Sequence, residues 1–282
     1  MDTKEPLPAD AAVDRPVFIL GPHRSGTTLI YRFLSRHPDA GWFTAADRRL
    51  VGAPALAHAA ARIGLGNYPH EAQRIWDRFR SRDDDAMEAA DADPRKAAWH
   101  RERVRRTLEL RGRPRFLAKY PRLSLRLGWL DAVFPGSLFL HVVRDWRGVV
   151  NSTVRRRVKR EGREGDLEWF GVRIPGWRAL EALPHPLAAG RIFRHVSLHL
   201  EKEAERFGPR LRRVKYEDFC ADPVEQSRAL AEWAGLRWTP EFEQAVRRPL
   251  KSRNDKWRTG LGEDVVASIR AEDPAFYARY EF

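Results

Sequence analysis

The sequence predicts an α/β protein: a central parallel sheet flanked by helices on both faces. Three observations lead there. Short apolar runs, such as VFIL at 17–20 and SLFLHVV at 137–143, recur along the chain and have the length and composition of buried strands. Each leads into a segment with apolar residues at helical spacing, and strands alternating with helices imply a parallel sheet covered on both sides. The first run also breaks into the glycine-framed loop GPHRSGTT, the kind of strand-to-helix turn that attracts an anion.

The elements follow in order. A strand near 17–20 feeds the loop and a helix over about 26–36, where Leu29, Ile30, Phe33 and Leu34 recur at helical spacing. His37-Pro38 ends that helix, because the residue before a proline disfavours helical backbone. Residues 45–112 are rich in alanine and charge, with breaks at Pro54, the GLGNYP turn and Pro94, and read as a helical elaboration over the sheet. A strand at 115–119 leads to a helix over about 122–133. The strand ending at Arg144 leads to a helix from about Trp146. A long helix over 187–207, a strand at 212–216 and a helix at about 224–234 complete the pattern. Residues 1–16 are polar and rich in Pro, Ala and Asp, and are expected to be a loosely ordered lead-in. Residues 17–282 are expected to form one domain.

The loop carries the most chemistry. A Walker loop reads GxxxxGK[ST], and its lysine reaches the β- and γ-phosphates of a nucleoside triphosphate. Here Gly21 and Gly26 keep the glycine spacing, but Thr27 stands at the lysine position and is followed by Thr28; the basic residue is Arg24, inside the loop. That pattern points to an anion other than a triphosphate. Downstream, Arg144 sits at the end of a buried-strand pattern, where ligands of open α/β sheets bind. Ser152 follows eight residues later, just over two helical turns on. A guanidinium forks onto phosphate with charge-assisted bonds, and a hydroxyl adds a neutral donor.

The segment P-x-R-S-G-T-T after a hydrophobic strand, followed by R-D-x-R and its serine, resembles the sulfotransferases that use 3'-phosphoadenosine-5'-phosphosulfate (PAPS). Trp146 replaces the proline usual in R-D-P-R. Three weaker stretches agree in order: FLAKYPRLSLRLGWLDAVFPGS at 116–137, VKYEDFCADP at 214–223 and KWRTGLG at 256–262. The resemblance implies a P-loop NTPase-like sulfotransferase fold and transfer of a sulfuryl group from PAPS to a hydroxyl or amine. It implies that Ser25, Gly26, Thr27 and Thr28 cradle the 5'-phosphosulfate with Arg24, and that Arg144 and Ser152 hold the 3'-phosphate. Tyr216 borders the nucleotide or is a core tyrosine, and Arg258 lies in a basic loop over the cofactor. Arg24, Lys119 and Asp47 are the candidate catalytic residues. Lys119 would contact the sulfuryl group. Asp47 is the candidate general base, because the glutamate found a few residues after HPD in similar proteins is absent; the alternatives are a cap or ion-pair role for Asp47, with His58 as the next candidate base or no base at all where Lys119 and Arg24 suffice. Trp169, Phe170, Pro175 and Trp177 line an acceptor pocket, pack their loop onto the domain, or do both.

Charge and composition narrow the rest. The net charge is +13, but of 52 basic residues eight are lysines and the arginines spread from Arg15 to Arg279, which reads as a compositional bias. Clusters at 103–106 and 154–160 can attract an anionic acceptor or membrane surface. No zinc-ligand spacing, RNA-binding motif or stacking platform supports specific nucleic-acid binding, and no metal site is expected. Neither a secretory signal nor a run of roughly 18–20 apolar residues is present. The one cysteine, Cys220, cannot form an internal disulfide, so the chain is expected to be soluble and cytoplasmic. The acceptor is expected to be a small molecule, lipid or glycan. The rival classes are a P-loop kinase using ATP and a basic nucleotide- or nucleic-acid-binding protein.

Overall fold

Strand order β2-β3-β1-β4-β5, every pair parallel, places the loop-bearing strand at the centre of the sheet. The computed structural model describes residues 13–80, 82–161 and 171–282. The strands are β1 (Val17–Leu20), β2 (Ala40–Gly41), β3 (Arg115–Lys119), β4 (Leu138–Val143) and β5 (Leu211–Lys215). The helices that bear on the site are α1 (Thr27–Leu34), α2 (Ala45–Arg49), α3 (Pro54–Arg62), α4 (Gln73–Trp76), α5 (Pro94–Arg111), α6 (Leu127–Val133), α7 (Trp146–Glu161), α8 (His185–Phe207) and α9 (Tyr216–Ala221). The elaboration expected at 45–112 is thus α2 to α5, which stand between β2 and β3.

β1 and β4 are buried along their whole length, which is why they are apolar without alternation, while β5, LRRVK, leaves Arg213 and Lys215 exposed. Phe18, Leu20, Phe116 and Phe139 face one core, while Val17, Ile19, Leu117 and Leu140 face the other. His141, in β4, is buried beside Arg213, and burial pushes its pKa down to about 3. Of the expected lead-in, Val13 is buried in the core and the Pro16 carbonyl accepts from Leu138 N at 2.9 Å. These last residues belong to the fold.

One expectation changes. The helix expected over 122–133 is split into a 3-10 turn, Pro121–Leu125, and α6, separated by Arg126. The Arg126 guanidinium is wholly buried, donating to Asp77 at 2.8 Å and to the Trp76 carbonyl at 3.2 Å, and the backbone turns to deliver it there. Trp177 packs its loop onto the domain, lying in the core and donating to Asp83 at 3.1 Å. Pro175 is exposed. Trp169 and Phe170 lie outside the described residues.

Candidate active site

Ligands of parallel sheets bind beyond the carboxyl ends of the strands, beside the strand where the order reverses. Four such ends converge here. β1 runs into the loop Gly21–Gly26, β3 ends on Lys119, β4 is followed by Arg144 and β5 by Tyr216. A cleft of about 400 Å³ opens between them, lined among others by Arg24, Thr27, Thr28, Glu71, Lys119 and Arg144.

The loop is built to present amides. Gly21, Arg24 and Gly26 have φ of 144°, 71° and 102°. Positive φ is unusual for arginine, and such conformations gather at ligand-holding loops. Glycine is required at both ends. A Cβ on Gly21 would lie 2.7 Å from the Val142 carbonyl, and one on Gly26 only 2.4 Å from the Tyr216 ring. The Ser124 hydroxyl accepts from Gly21 N at 2.9 Å and fixes where the loop begins. Gly26 caps α1 without a side chain, and among the described residues the amides of Gly26, Thr27 and Thr28 have no acceptor. They form the positive end of the helix. Ser25 is fully buried and its hydroxyl has no partner.

Arg144 and Ser152 brace this loop directly. Arg144 Nη1 donates to the Arg24 carbonyl at 3.0 Å, while Arg24 Nε donates to Ser152 Oγ at 2.9 Å. The Arg144 guanidinium lies 4.3 Å from the centre of the Tyr216 ring. Its Nε donates at 2.8 Å to Asn254, whose amide donates in turn to Glu217. Among the described residues neither Arg24 nor Arg144 forms an ion pair. Burial, and then repulsion from Arg156 and Arg144, pulls the Arg24 pKa below its ordinary value. Partly desolvated cations facing one another are what an anion with two charged ends would neutralise.

On the opposite wall stands a group absent from the sequence-based candidates. Glu71, between α3 and α4, accepts a hydrogen bond from Lys119 Nζ. The lysine side chain is 4% exposed and the glutamate's 30%. Burial alone would raise the Glu71 pKa, but the charge and hydrogen bond of Lys119, with His23 and His70, hold it below the ordinary value of 4.5. Burial draws the Lys119 pKa down, opposed by Glu71. His23, also in the cleft, is pushed to about 4, mainly by burial, so its imidazole is neutral at pH 7.

Asp47 is placed elsewhere. Its carboxylate accepts from the Thr44 amide and hydroxyl at 2.7 and 2.6 Å, and from Arg103 at 2.7 Å. It completes the capping box of α2 and is buried against α5, away from the cleft. His58 lies beside it, in a separate small depression. Arg258 is also outside the cleft: its side chain is largely exposed and lies over the Trp257 ring at 4.8 Å. The C-terminal segment that carries it does reach the site, through Asn254. No sequence signal pointed to Glu71 or Asn254. Glu71 sits in an unpatterned stretch 48 residues from its partner, and Asn254 in a short 3-10 turn.

The sequence matches the sulfotransferase family over residues 16–240, and the chain belongs to that family. It is 25% identical over 263 residues to an uncharacterized protein from Aquifex aeolicus (strain VF5), covering 91% of this chain and 30% of that protein; the chain thus spans under a third of that relative's length. The fold is similar to that of sulfotransferase STF9 from Mycobacterium avium, with a TM-score of 0.62, 20% identity, and coverage of 93% of this chain and 76% of that one. It is also similar to the sulfotransferase domain from the curacin biosynthetic pathway, with a TM-score of 0.53, 14% identity, and coverage of 93% and 98%. The fold is therefore that of the bacterial sulfotransferases, a five-stranded parallel sheet flanked by helices.

Proposed function

We propose that the chain transfers a sulfuryl group from PAPS to a hydroxyl or amine of a small-molecule, lipid or glycan acceptor. One observation carries the reading. The amide-rich loop, Lys119 and Arg144 line one cleft, with Ser152 bonded to Arg24 beside it, and among the described residues the lining cations outnumber the one lining carboxylate, Glu71. PAPS, when bound, supplies a sulfuryl group on a phosphate leaving group.

Each residue then has a part. The amides of Gly26, Thr27 and Thr28, with Arg24, face the charge that develops on the departing phosphate, and fixed donors of this kind are a major source of catalysis. Arg24 stays protonated and contributes charge rather than a proton. Arg144 and Ser152 hold the 3'-phosphate, with Tyr216 packed on the arginine and bordering the nucleotide. Lys119 orients the sulfuryl oxygens. Glu71 replaces Asp47 as the general base: it lies across the cleft from the loop, is ionised at neutral pH, and can accept the acceptor's proton. With its basicity lowered by Lys119, it takes that proton only as the acceptor oxygen bonds to sulfur. The bond from acceptor oxygen to sulfur forms as the sulfur–phosphate oxygen bond breaks.

Binding of adenosine 3',5'-bisphosphate tests the assignment. Wild type should bind it in preference to ATP. Arg144→Ala should lose roughly 1.5–3 kcal/mol of affinity and Ser152→Ala less, as charge-assisted and neutral bonds differ. Unchanged affinity in the Arg144 variant, or preference for ATP, overturns it.

A further inference from the structure

Helices at a protein surface normally turn their large apolar residues inward and their polar ones outward. α3 and the turn after it depart from this. Its buried positions are the small residues Ala57 and Ala61, set against α2 and α5. Leu56 is 62% exposed, and just past the helix Ile63 is 76%, Leu65 62% and Tyr68 55% exposed. These four, within 13 residues of sequence, make up most of the exposed large apolar side chains of the described residues. Scattered apolar residues at a surface need no explanation, but a contiguous ridge does.

The charge around the ridge says what covers it. From Arg48 to His70 there is no aspartate or glutamate, while Arg49 and Arg62 are exposed, as is Arg74 just beyond. An apolar ridge fringed by Arg49, Arg62 and Arg74, with the nearest carboxylate, Glu71, paired to Lys119, is the pattern of a segment that lies in the interface of an anionic bilayer. A second copy of this chain, which carries a net charge of +13, would instead be repelled. No described helix is long and apolar enough to cross a membrane, so the contact is peripheral. The ridge also leads into the cleft. Tyr68 is three residues before Glu71, a span of at most about 10 Å of backbone, and the Thr44–Pro69 bridge with the His70 N to Phe43 O bond, 2.9 Å, pins that stretch to the domain.

We infer that α3 and the turn after it dock the protein on an anionic lipid surface, with the mouth of the cleft beside the headgroup layer. The docking rests on the surface alone. That it brings a membrane-resident hydroxyl to Glu71 rests on the transferase reading above.

The test is sedimentation of the full chain with vesicles of phosphatidylglycerol and phosphatidylcholine, against phosphatidylcholine alone. Wild type should bind the anionic vesicles, more weakly as salt rises. The double variant Ile63→Glu, Leu65→Glu should bind at least about tenfold less, since it removes both the apolar insertion and part of the attraction. Both substituted side chains are exposed, so thermal unfolding and adenosine 3',5'-bisphosphate affinity should be unchanged. Three results overturn the inference: no wild-type binding to anionic vesicles, equal binding by the double variant, or a wild-type dimer that the double variant dissociates. Vesicle binding without nucleotide binding would sink the transferase reading and leave the docking intact.

Discussion

Glu71→Gln separates two roles that one carboxylate can play. As a general base it speeds the reaction by about 10²–10⁴-fold, or roughly 3–5 kcal/mol of barrier, and glutamine cannot accept a proton. As the counter-charge of Lys119 it supports a lysine side chain that is only 4% exposed. Breaking a fully buried pair costs about 3–5 kcal/mol. Here the loss should be smaller, about 1–2 kcal/mol, because the Glu71 side chain is 30% exposed and water screens it. Lys119 can also shed its proton, since burial already draws its pKa down. The substitution should therefore leave a folded protein with depressed turnover.

The assay is single-turnover transfer of labelled sulfate from PAPS to an acceptor found by screening, with adenosine 3',5'-bisphosphate affinity and urea unfolding measured on the same preparation. A base role predicts a rate falling by at least about a hundredfold, with nucleotide affinity changed only a few-fold. Glu71→Asp keeps the charge but draws the carboxylate back along the side chain, and should fall between the two. A folded Glu71→Gln protein that binds nucleotide normally and turns over within a few-fold of wild type refutes the assignment.

Other predictions follow from the same geometry. Asp47→Asn should cost about 3 kcal/mol of stability in urea unfolding, because it leaves Arg103 buried without its partner, while turnover per folded molecule stays unchanged; a hundredfold loss of turnover at unchanged stability would return Asp47 to the chemistry. Gly26→Ala, at φ 102° and with its new methyl carbon 2.4 Å from the Tyr216 ring, should lower both stability and nucleotide affinity, and an unaffected thermal midpoint would contradict the loop geometry. Stability should fall as pH drops below about 6.5. Burial lowers the pKa of His23 and His199 to about 4 and of His100 and His141 to about 3, so the unfolded chain takes up protons that the native one refuses. Each such histidine adds a slope of up to about 1.4 kcal/mol per pH unit. Urea unfolding between pH 5 and 6.5 should show His141→Leu losing about one proton's worth of that slope, and an unchanged slope would contradict the assignment.

The contiguous parts of this protein were legible in its sequence. β1, β3 and β4 are short runs buried almost throughout, and their hydrophobicity announces them without help from distant contacts. The loop was legible because its glycines, spaced as in a phosphate-binding turn, are demanded by the positive φ of the loop itself. Glu71 was not legible, because its place is set by an isolated bridge from Pro69 to Thr44 and by a lysine on another strand. Asp47 looked attractive as the nearest carboxylate after HPD, yet its own stretch gave it a cap to complete and α5 an arginine to pair. Asn254 was invisible for the same reason as Glu71: its partners Arg144 and Glu217 lie 110 and 37 residues away.

The arginine inside the loop, the largest departure from a Walker sequence, has a structural reason. Arg24 works at both its ends. Its carbonyl is held by Arg144, and its guanidinium reaches Ser152, so the backbone conformation at φ 71° is fixed by the two residues assigned to the 3'-phosphate. A lysine at this position would offer a single ammonium in place of the guanidinium's Nε–H, and could not donate to Ser152 while presenting further nitrogens to the cleft. The loop and the Arg144–Ser152 pair are therefore one mechanical unit. Interacting groups within such a network are not energetically independent, so ordering Arg144 and Ser152 on one charged end of a ligand also settles the loop that must receive the other. On the proposed transferase reading, that coupling is what would favour a nucleotide with two separated anionic groups, and the adenosine 3',5'-bisphosphate against ATP comparison tests it.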